Sequence, residues 1–169
     1  MSWPRGLGQI PIFFGERPTG RPANPKDHYT SKYLDEKNEP LFPFGHGLTY
    51  GDFAYADLNV TPDKADKDGS FTVTVRLTNQ GTRAASETIF LFTHDKVASF
   101  SRPLLELKGF DRIALKPGES GTVTFALPAQ DLRFPGPDLE PLFEPGEIEI
   151  LVGPSADRAR LLSASVRLA

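Results

Sequence analysis

From residue 53 onward the chain alternates apolar and polar positions with a period of two. Phe71, Val73, Val75 and Leu77 interleave with Thr72, Thr74, Arg76 and Thr78. Val123, Phe125 and Leu127 interleave with Thr122 and Thr124. Ile148, Ile150 and Val152 repeat the rule, as do Leu162, Ala164, Val166 and Leu168. Successive strand side chains point to opposite faces, so each run has one buried and one wetter face. Turn signals separate the runs at Asp66-Lys67-Asp68-Gly69, Asn79-Gln80-Gly81, Lys116-Pro117-Gly118-Glu119 and Glu144-Pro145-Gly146-Glu147. Proline pre-sets φ for a turn and glycine accepts positive φ without steric cost. The pattern predicts strands over about 53–60, 70–79, 86–94, 104–113, 120–127, 146–153 and 160–168. Seven short strands with regular turns specify an all-β fold, a seven-stranded antiparallel immunoglobulin/fibronectin type III-like sandwich. Ala129–Arg133 is the one stretch that suggests a helical turn.

One strand breaks the alternation. Thr88-Ile89-Phe90-Leu91-Phe92-Thr93 is apolar on both faces, with Phe90 and Phe92 opposite Ile89 and Leu91. A strand buried on both sides needs cover beyond its partner sheet. A loop of the same chain could supply it, or the face could dock another domain; a third reading is that its burial is misjudged.

Residues 1–52 follow no period and form a long irregular N-terminal extension. Gln9–Phe14 is its only strand-like run, and Leu41-Phe42-Pro43-Phe44-Gly45-His46-Gly47-Leu48-Thr49-Tyr50 is aromatic and glycine-rich. A segment this long without periodicity is disordered, functional or packed on something else. Its aromatic content argues against simple disorder.

Composition narrows the class. The 169 residues allow one ordinary domain plus an appendage. Thirteen phenylalanines oppose disorder, and 24% charged residues oppose a membrane location. Sixteen prolines and fifteen glycines oppose an all-helical fold. A net charge of −3 predicts no nucleic-acid partner and no anionic-membrane partner. Absence of cysteine removes disulfides, thiolate metal sites and thiol nucleophiles. Met1–Arg5 does not lead a charged region into an apolar one, so no signal peptide is visible.

Candidate chemistry is sparse. His28, His46 and His94 form no metal-binding pair at close spacing and are read as solvated or capping. Asp63, Asp66, Asp68 and Gly69 suggest a calcium loop, but Lys64 stands where its first carboxylate belongs, and a turn is the better reading. Gly6-Leu7-Gly8 lacks the third glycine of a dinucleotide loop, and no Gly-x-Ser-x-Gly occurs. Asn59-Val60-Thr61 fits the glycosylation triplet but falls in a predicted strand. Asp35, Glu36 and Glu39 are close in sequence, yet paired-carboxylate chemistry needs a rigid spacing of roughly 5–9.5 Å that a loop does not hold. The readings therefore assign no catalytic residue, no cofactor and no metal site. Trp3, Tyr29, Tyr33, Phe42, Phe44 and Tyr50 are candidate sugar-stacking rings, with interdomain packing the simpler role for the Phe-Pro-Phe-Gly run.

These residues carry a resemblance. Pro4–Ile12 resembles the end of the α/β domain of family 3 glycoside hydrolases of the β-glucosidase type. Thr19–Pro22, Tyr29–Asp35 and Pro40–Tyr50 resemble the connector of that family. Residues 53–169, with Leu107–Ile113, Leu115–Ser120 and Glu144–Gly146, resemble its C-terminal fibronectin type III-like domain. The resemblance implies a division into 1–52, the end of a missing α/β domain plus connector, and 53–169, the sandwich. It implies a C-terminal fragment without the aspartate nucleophile and the acid/base glutamate, which other domains of the family carry. The implied work is that of a non-catalytic accessory domain bracing the catalytic domains of a parent glycosidase, commonly periplasmic or secreted.

Phe42, Phe44, Tyr50, Phe90 and Phe92 are then candidate interdomain contacts, and Tyr33 and Asp35 candidate members of a sugar-site rim in the intact enzyme. The alternative function is a carbohydrate-binding module, although residues 53–169 hold no Trp and one Tyr, Tyr55. Without its neighbours, Gln9–Phe14 would disorder, add to an edge of the sandwich or pair with another copy, so residues 1–50 are expected to self-associate or lie across the sandwich.

Overall fold

A computed structural model describes residues 1–169 apart from Pro11 and Pro25. Ten strands follow in order: β1 (Phe53–Thr61), β2 (Lys64–Ala65), β3 (Ser70–Asn79), β4 (Ala85–Asp95), β5 (Glu106–Leu115), β6 (Ser120–Pro128), β7 (Phe134–Pro135), β8 (Pro141–Leu142), β9 (Gly146–Gly153) and β10 (Leu162–Leu168). The seven long ones are those the alternation predicts. β2, β7 and β8 are two residues each, too short to show a period, and only the sheet reveals them.

One sheet has the order β1-β3-β6 and the other β2-β10-β9-β4-β5. All pairings are antiparallel except the short β2–β10 contact. Phe71, Val73, Val75 and Leu77 of β3 are fully buried between the sheets. They join Ile89 and Leu91 of β4, Ile150 and Val152 of β9 and Val166 of β10 in one apolar core. The single turn expected near Ala129 is a 3-10 turn over Ala129–Leu132.

Two irregularities shape the edges. β1 bulges at Asp57, whose φ is +52, and the Asp57 carboxylate meets the Arg76 guanidinium at 2.6 Å. A bulge on an edge strand twists it away from further pairing. β5 begins two residues later than expected, because the Leu104 amide donates to the Glu16 carbonyl at 2.8 Å instead of joining the sheet. The register also shifts between Leu91 and Phe92, where Leu91 faces Gly109 and Phe92 faces Leu107.

The strand expected over Gln9–Phe14 does not form among the described residues. Leu7–Gln9 makes a 3-10 turn, and Phe14-Gly15 makes another turn. The Gln9 side chain is nearly buried; it accepts from the Arg5 amide at 2.5 Å and donates to the Lys37 carbonyl at 2.6 Å. These bonds fold the first residues back on the segment around Lys37. Further on, Trp3 and Phe42 form a backbone bridge with an N–O distance of 2.8 Å. Among the described residues of the extension, Phe14 and Phe44 pack on the outer face of the five-stranded sheet, and the Glu16 and Phe44 carbonyls accept from Leu104 and Ala156.

At the end of the sandwich where β1 starts, Tyr55 donates its hydroxyl to Glu87 at 3.0 Å. Burial pushes the Glu87 carboxyl above its ordinary value, against the opposing pull of the Tyr55 bond and the Arg160 charge. Burial and the Glu87 charge likewise push the Tyr55 hydroxyl up. A carboxyl with a raised folded pKa costs nothing below its unfolded value and destabilises the fold as pH rises through the folded one. Glu87→Gln keeps an acceptor for Tyr55 and removes that charge. It is expected to melt above the unmodified chain at pH 7 and level with it near pH 4, read by thermal denaturation at both values. A lower melting temperature at pH 7 would contradict the burial argument.

Candidate interdomain face

The outer face of β4 carries Phe90 and Phe92, which the alternation turns away from the main core. With Leu105, Leu107 of β5 and Leu151 of β9 they begin a second apolar cluster. The extension completes it: Phe14 stands edge-on to Phe92 at 5.7 Å, and Phe44 stands edge-on to Phe90 at 5.4 Å. Phe14 and Phe44 touch each other at 4.7 Å. Phe92 is fully buried as a result, and Phe90 half-buried. A loop of this chain thus covers the doubly apolar strand. Such tilted and edge-on arrangements are the preferred ones for aromatic pairs.

The Phe-Pro-Phe-Gly run explains how the strap reaches its seat. His46 donates its amide to the Pro43 carbonyl at 3.0 Å, closing a turn in which Gly45 has φ +81. Positive φ at the third position is the mark of a type II turn and favours glycine. Space demands glycine as well. A Cβ there would stand 2.8 Å from the Phe90 ring and 3.1 Å from the Ser155 Cα. The Phe44 carbonyl then accepts from the Ala156 amide at 2.8 Å. Gly45→Ala is expected to cost about 2 kcal/mol through strain and displacement of the Phe90 ring. Limited proteolysis should show the strap cut sooner while the sandwich stays intact; unchanged cleavage would mean that the turn does not hold the strap.

The sequence-predicted residues divide. Phe44, Phe90 and Phe92 come together, and Phe92 spends all its surface inside the chain. Phe42 stacks on His46 at 4.6 Å and stays partly exposed, and Tyr50 is exposed. Tyr33 and Asp35 lie on the exposed part of the strap and join no cluster among the described residues. Near them, Glu36 faces Arg5 at 3.8 Å. The aspartates around Gly69 make the turn: Asp66 accepts from the Asp68 and Gly69 amides at 3.0 and 3.1 Å. Gln9, Leu105, Leu151 and Ala156 escaped the sequence reading, since each depends on a neighbour distant in the chain.

A charged cluster lies beside the strap. The Glu149 carboxylate of β9 meets His94 at 3.3 Å, Lys96 at 3.4 Å and Arg158 at 3.3 Å. Arg158 also donates to the Leu104 carbonyl at 3.1 Å, tying the β9–β10 connection to the loop before β5. Between that connection and the strap runs a groove of about 690 Å³ whose lining includes Arg5, Phe13, Glu16, Lys37, His46 and Asp157.

Residues 87–156 match the fibronectin type III-like domain. The chain is 41% identical over 170 residues to a periplasmic β-glucosidase of Salmonella typhimurium, covering 99% of this chain and 22% of that protein. It is 38% identical over 169 residues to a β-xylosidase of Formosa agariphila, covering 99% of this chain and 23% of that protein. The crystal structure of a β-glucosidase from Listeria innocua in complex with glucose superposes with a TM-score of 0.92 at 37% identity, over 100% of this chain and 24% of the other. The chain thus spans about a fifth of the length of the curated relatives it matches. Over its whole length, the chain thus resembles one segment of β-glucosidase-type family 3 glycoside hydrolases, a segment that includes their fibronectin type III-like domain.

Proposed function

We propose that this chain is a non-catalytic accessory part of a β-glucosidase-type glycoside hydrolase and braces its catalytic domains. One observation carries the reading. Of the sixteen large apolar side chains exposed among the described residues, twelve belong to residues 1–50. Monomers scatter such side chains singly; their concentration on one segment marks a contact surface. The strap is fixed to the sandwich by the half-buried rings of Phe14 and Phe44 and presents Trp3, Phe42, Leu48 and Tyr50 outward. The parent in this reading hydrolyses O-glycosidic bonds and resides in the periplasm or outside the cell, in keeping with the name of the Salmonella relative. The carbohydrate-module alternative has only Phe100 and Phe110 as exposed rings on residues 53–169 to draw on.

The test uses two preparations. The chain alone is expected to leave an aryl β-glucoside intact. Mixed with the Salmonella β-glucosidase lacking its matching segment, it is expected to co-elute and raise hydrolysis. The double variant Leu48→Ser/Tyr50→Ser, at two of the most exposed positions, should lose co-elution while keeping its melting temperature. Turnover by the chain alone, or co-elution indifferent to that variant, would overturn the reading. Self-association is the competing use of the same surface, and light scattering of the isolated chain reads it directly: a monomer is expected, and a dimer dispersed by the double variant would mean that the surface pairs copies instead.

A further inference from the structure

Two backbone bonds that tie the strap to the sandwich end beside one charged cluster. The Glu16 carbonyl accepts from the Leu104 amide and the Phe44 carbonyl from the Ala156 amide, each at 2.8 Å. Arg158 joins the two seats: it follows Ala156 by two residues, and its Nη1 donates to the Leu104 carbonyl at 3.1 Å. Its Nη2 donates to Glu149 Oε2 at 3.3 Å and stands 3.4 Å from His94 Nδ1. His94 of β4 and Glu149 of β9 are paired across the sheet, and their side chains are 15% and 16% exposed against 43% for Arg158. The strands fix the imidazole and the carboxylate, so the guanidinium is the member free to leave.

His94 Nδ1 lies within reach of a donor and of an acceptor, and it can serve only one of them. In the neutral ring with its hydrogen on Nε2, Nδ1 accepts from Arg158. The guanidinium then has the Leu104 carbonyl, the Glu149 carboxylate and the imidazole as acceptors. In the protonated ring both nitrogens are donors. Nδ1 turns to Glu149 Oε2, 3.3 Å away, and competes with Arg158 for that oxygen. Arg158 loses one acceptor, shares another and faces a like charge, which the low exposure of the cluster leaves poorly screened. Lys96 already meets the second Glu149 oxygen at 3.4 Å, so three cations then surround one carboxylate. The remaining charges nearby are committed elsewhere. Asp95 accepts from the Val97 amide, Asp157 accepts from the Ala159 amide, and Glu106 of β5 is held by Arg102 and Lys108. Across the groove, Arg5 and Lys37 of the strap balance Glu16 and Glu39, and His46 stands on the same wall. Imidazole is the side chain whose charge changes between pH 5 and 8.

We propose that His94 is a pH-sensitive release for the strap. The neutral imidazole holds Arg158 in its seat; protonation frees Arg158 from the Leu104 carbonyl and loosens the bonds at Glu16 and Phe44. The switch is a property of this chain alone. Its consequence, weaker docking of catalytic domains in acid, rests on the proposed function.

The experiment is amide hydrogen exchange of the full chain by NMR at pH 7.5 and pH 5, read as protection factors, which remove the intrinsic effect of pH on exchange. Protection of the Leu104 and Ala156 amides should fall about tenfold at the lower pH, as for one lost charge-assisted hydrogen bond. His94→Gln, which cannot gain the charge, should show the same protection at both pH values. Arg158→Gln should show low protection at both. His46→Gln, on the strap itself, should keep the response to pH. Unperturbed amide shifts at Val73 and Val75 verify that each variant folds. One reading needs no variant: in the unmodified chain the His94 ring protons and the Leu104 amide should titrate with a common midpoint. Equal protection at both pH values, separate midpoints, a response that survives in His94→Gln, or one lost in His46→Gln would overturn the switch.

Discussion

Phe92→Ala is expected to destabilise the chain by about 4 kcal/mol. The ring is fully buried on the outer face of the five-stranded sheet and packs with Leu105, Leu151, Phe14 and Phe90. Truncation forfeits the transfer free energy of the ring and leaves a cavity that relaxes only partly, which together cost roughly 3–5 kcal/mol for a buried phenylalanine. The walls here are a strand on one side and an irregular strap on the other. The strap has few backbone bonds to the sandwich, so it should give way first. Urea unfolding should show a lower midpoint, and proteolysis should show earlier cutting within residues 1–50. A loss below about 1.5 kcal/mol would mean that the second cluster closes over the gap and adds little to the fold. Phe71→Ala, in the core between the sheets, is the reference: it should cost a similar amount without selectively freeing the strap.

Asn79→Ala is expected to cost about 3 kcal/mol for a different reason. Asn79 closes β3 and is fully buried. Its side-chain amide donates to the Leu115 carbonyl at 3.0 Å and the Arg83 carbonyl at 2.8 Å, and its side-chain oxygen accepts from the Gly81 amide at 3.0 Å. One side chain thus holds the β3–β4 turn and the end of β5 together. Alanine leaves the buried Leu115 carbonyl unpaired and loosens two further bonds; an unsatisfied buried group alone costs about 1–3 kcal/mol. Asn79→Asp should not rescue, because it sets a carboxylate oxygen against two carbonyls. Hydrogen exchange at the Gly81 amide should accelerate in both variants. Unchanged exchange with a loss under about 1 kcal/mol would show that the turn is held by its backbone.

Both residues show how far the chain could be read in one dimension. Asn79 was visible as a turn signal, but nothing local tells that its side chain crosses to Leu115, 36 positions away. Phe92 stands out in the sequence as one apolar residue too many, but only the placement of Phe14 and Phe44 against it decides between a loop cover and a foreign domain. The apolar run around Ile12 reads as a strand because its composition is strand-like. A strand also needs a partner edge, and none is offered among the described residues; Phe14 joins a ring cluster instead.

What the sequence determined by itself was the sandwich and its seven long strands, because period-two burial is a local consequence of backbone geometry and needs no knowledge of the partner. The glycine and proline positions that end those strands were equally local. What only the tertiary structure decided was which side chains cover the outer face of β4, why Gly45 has no room for a Cβ, and where a groove opens. Those depend on segments far apart in the chain meeting at van der Waals distance, and periodicity carries no record of such meetings.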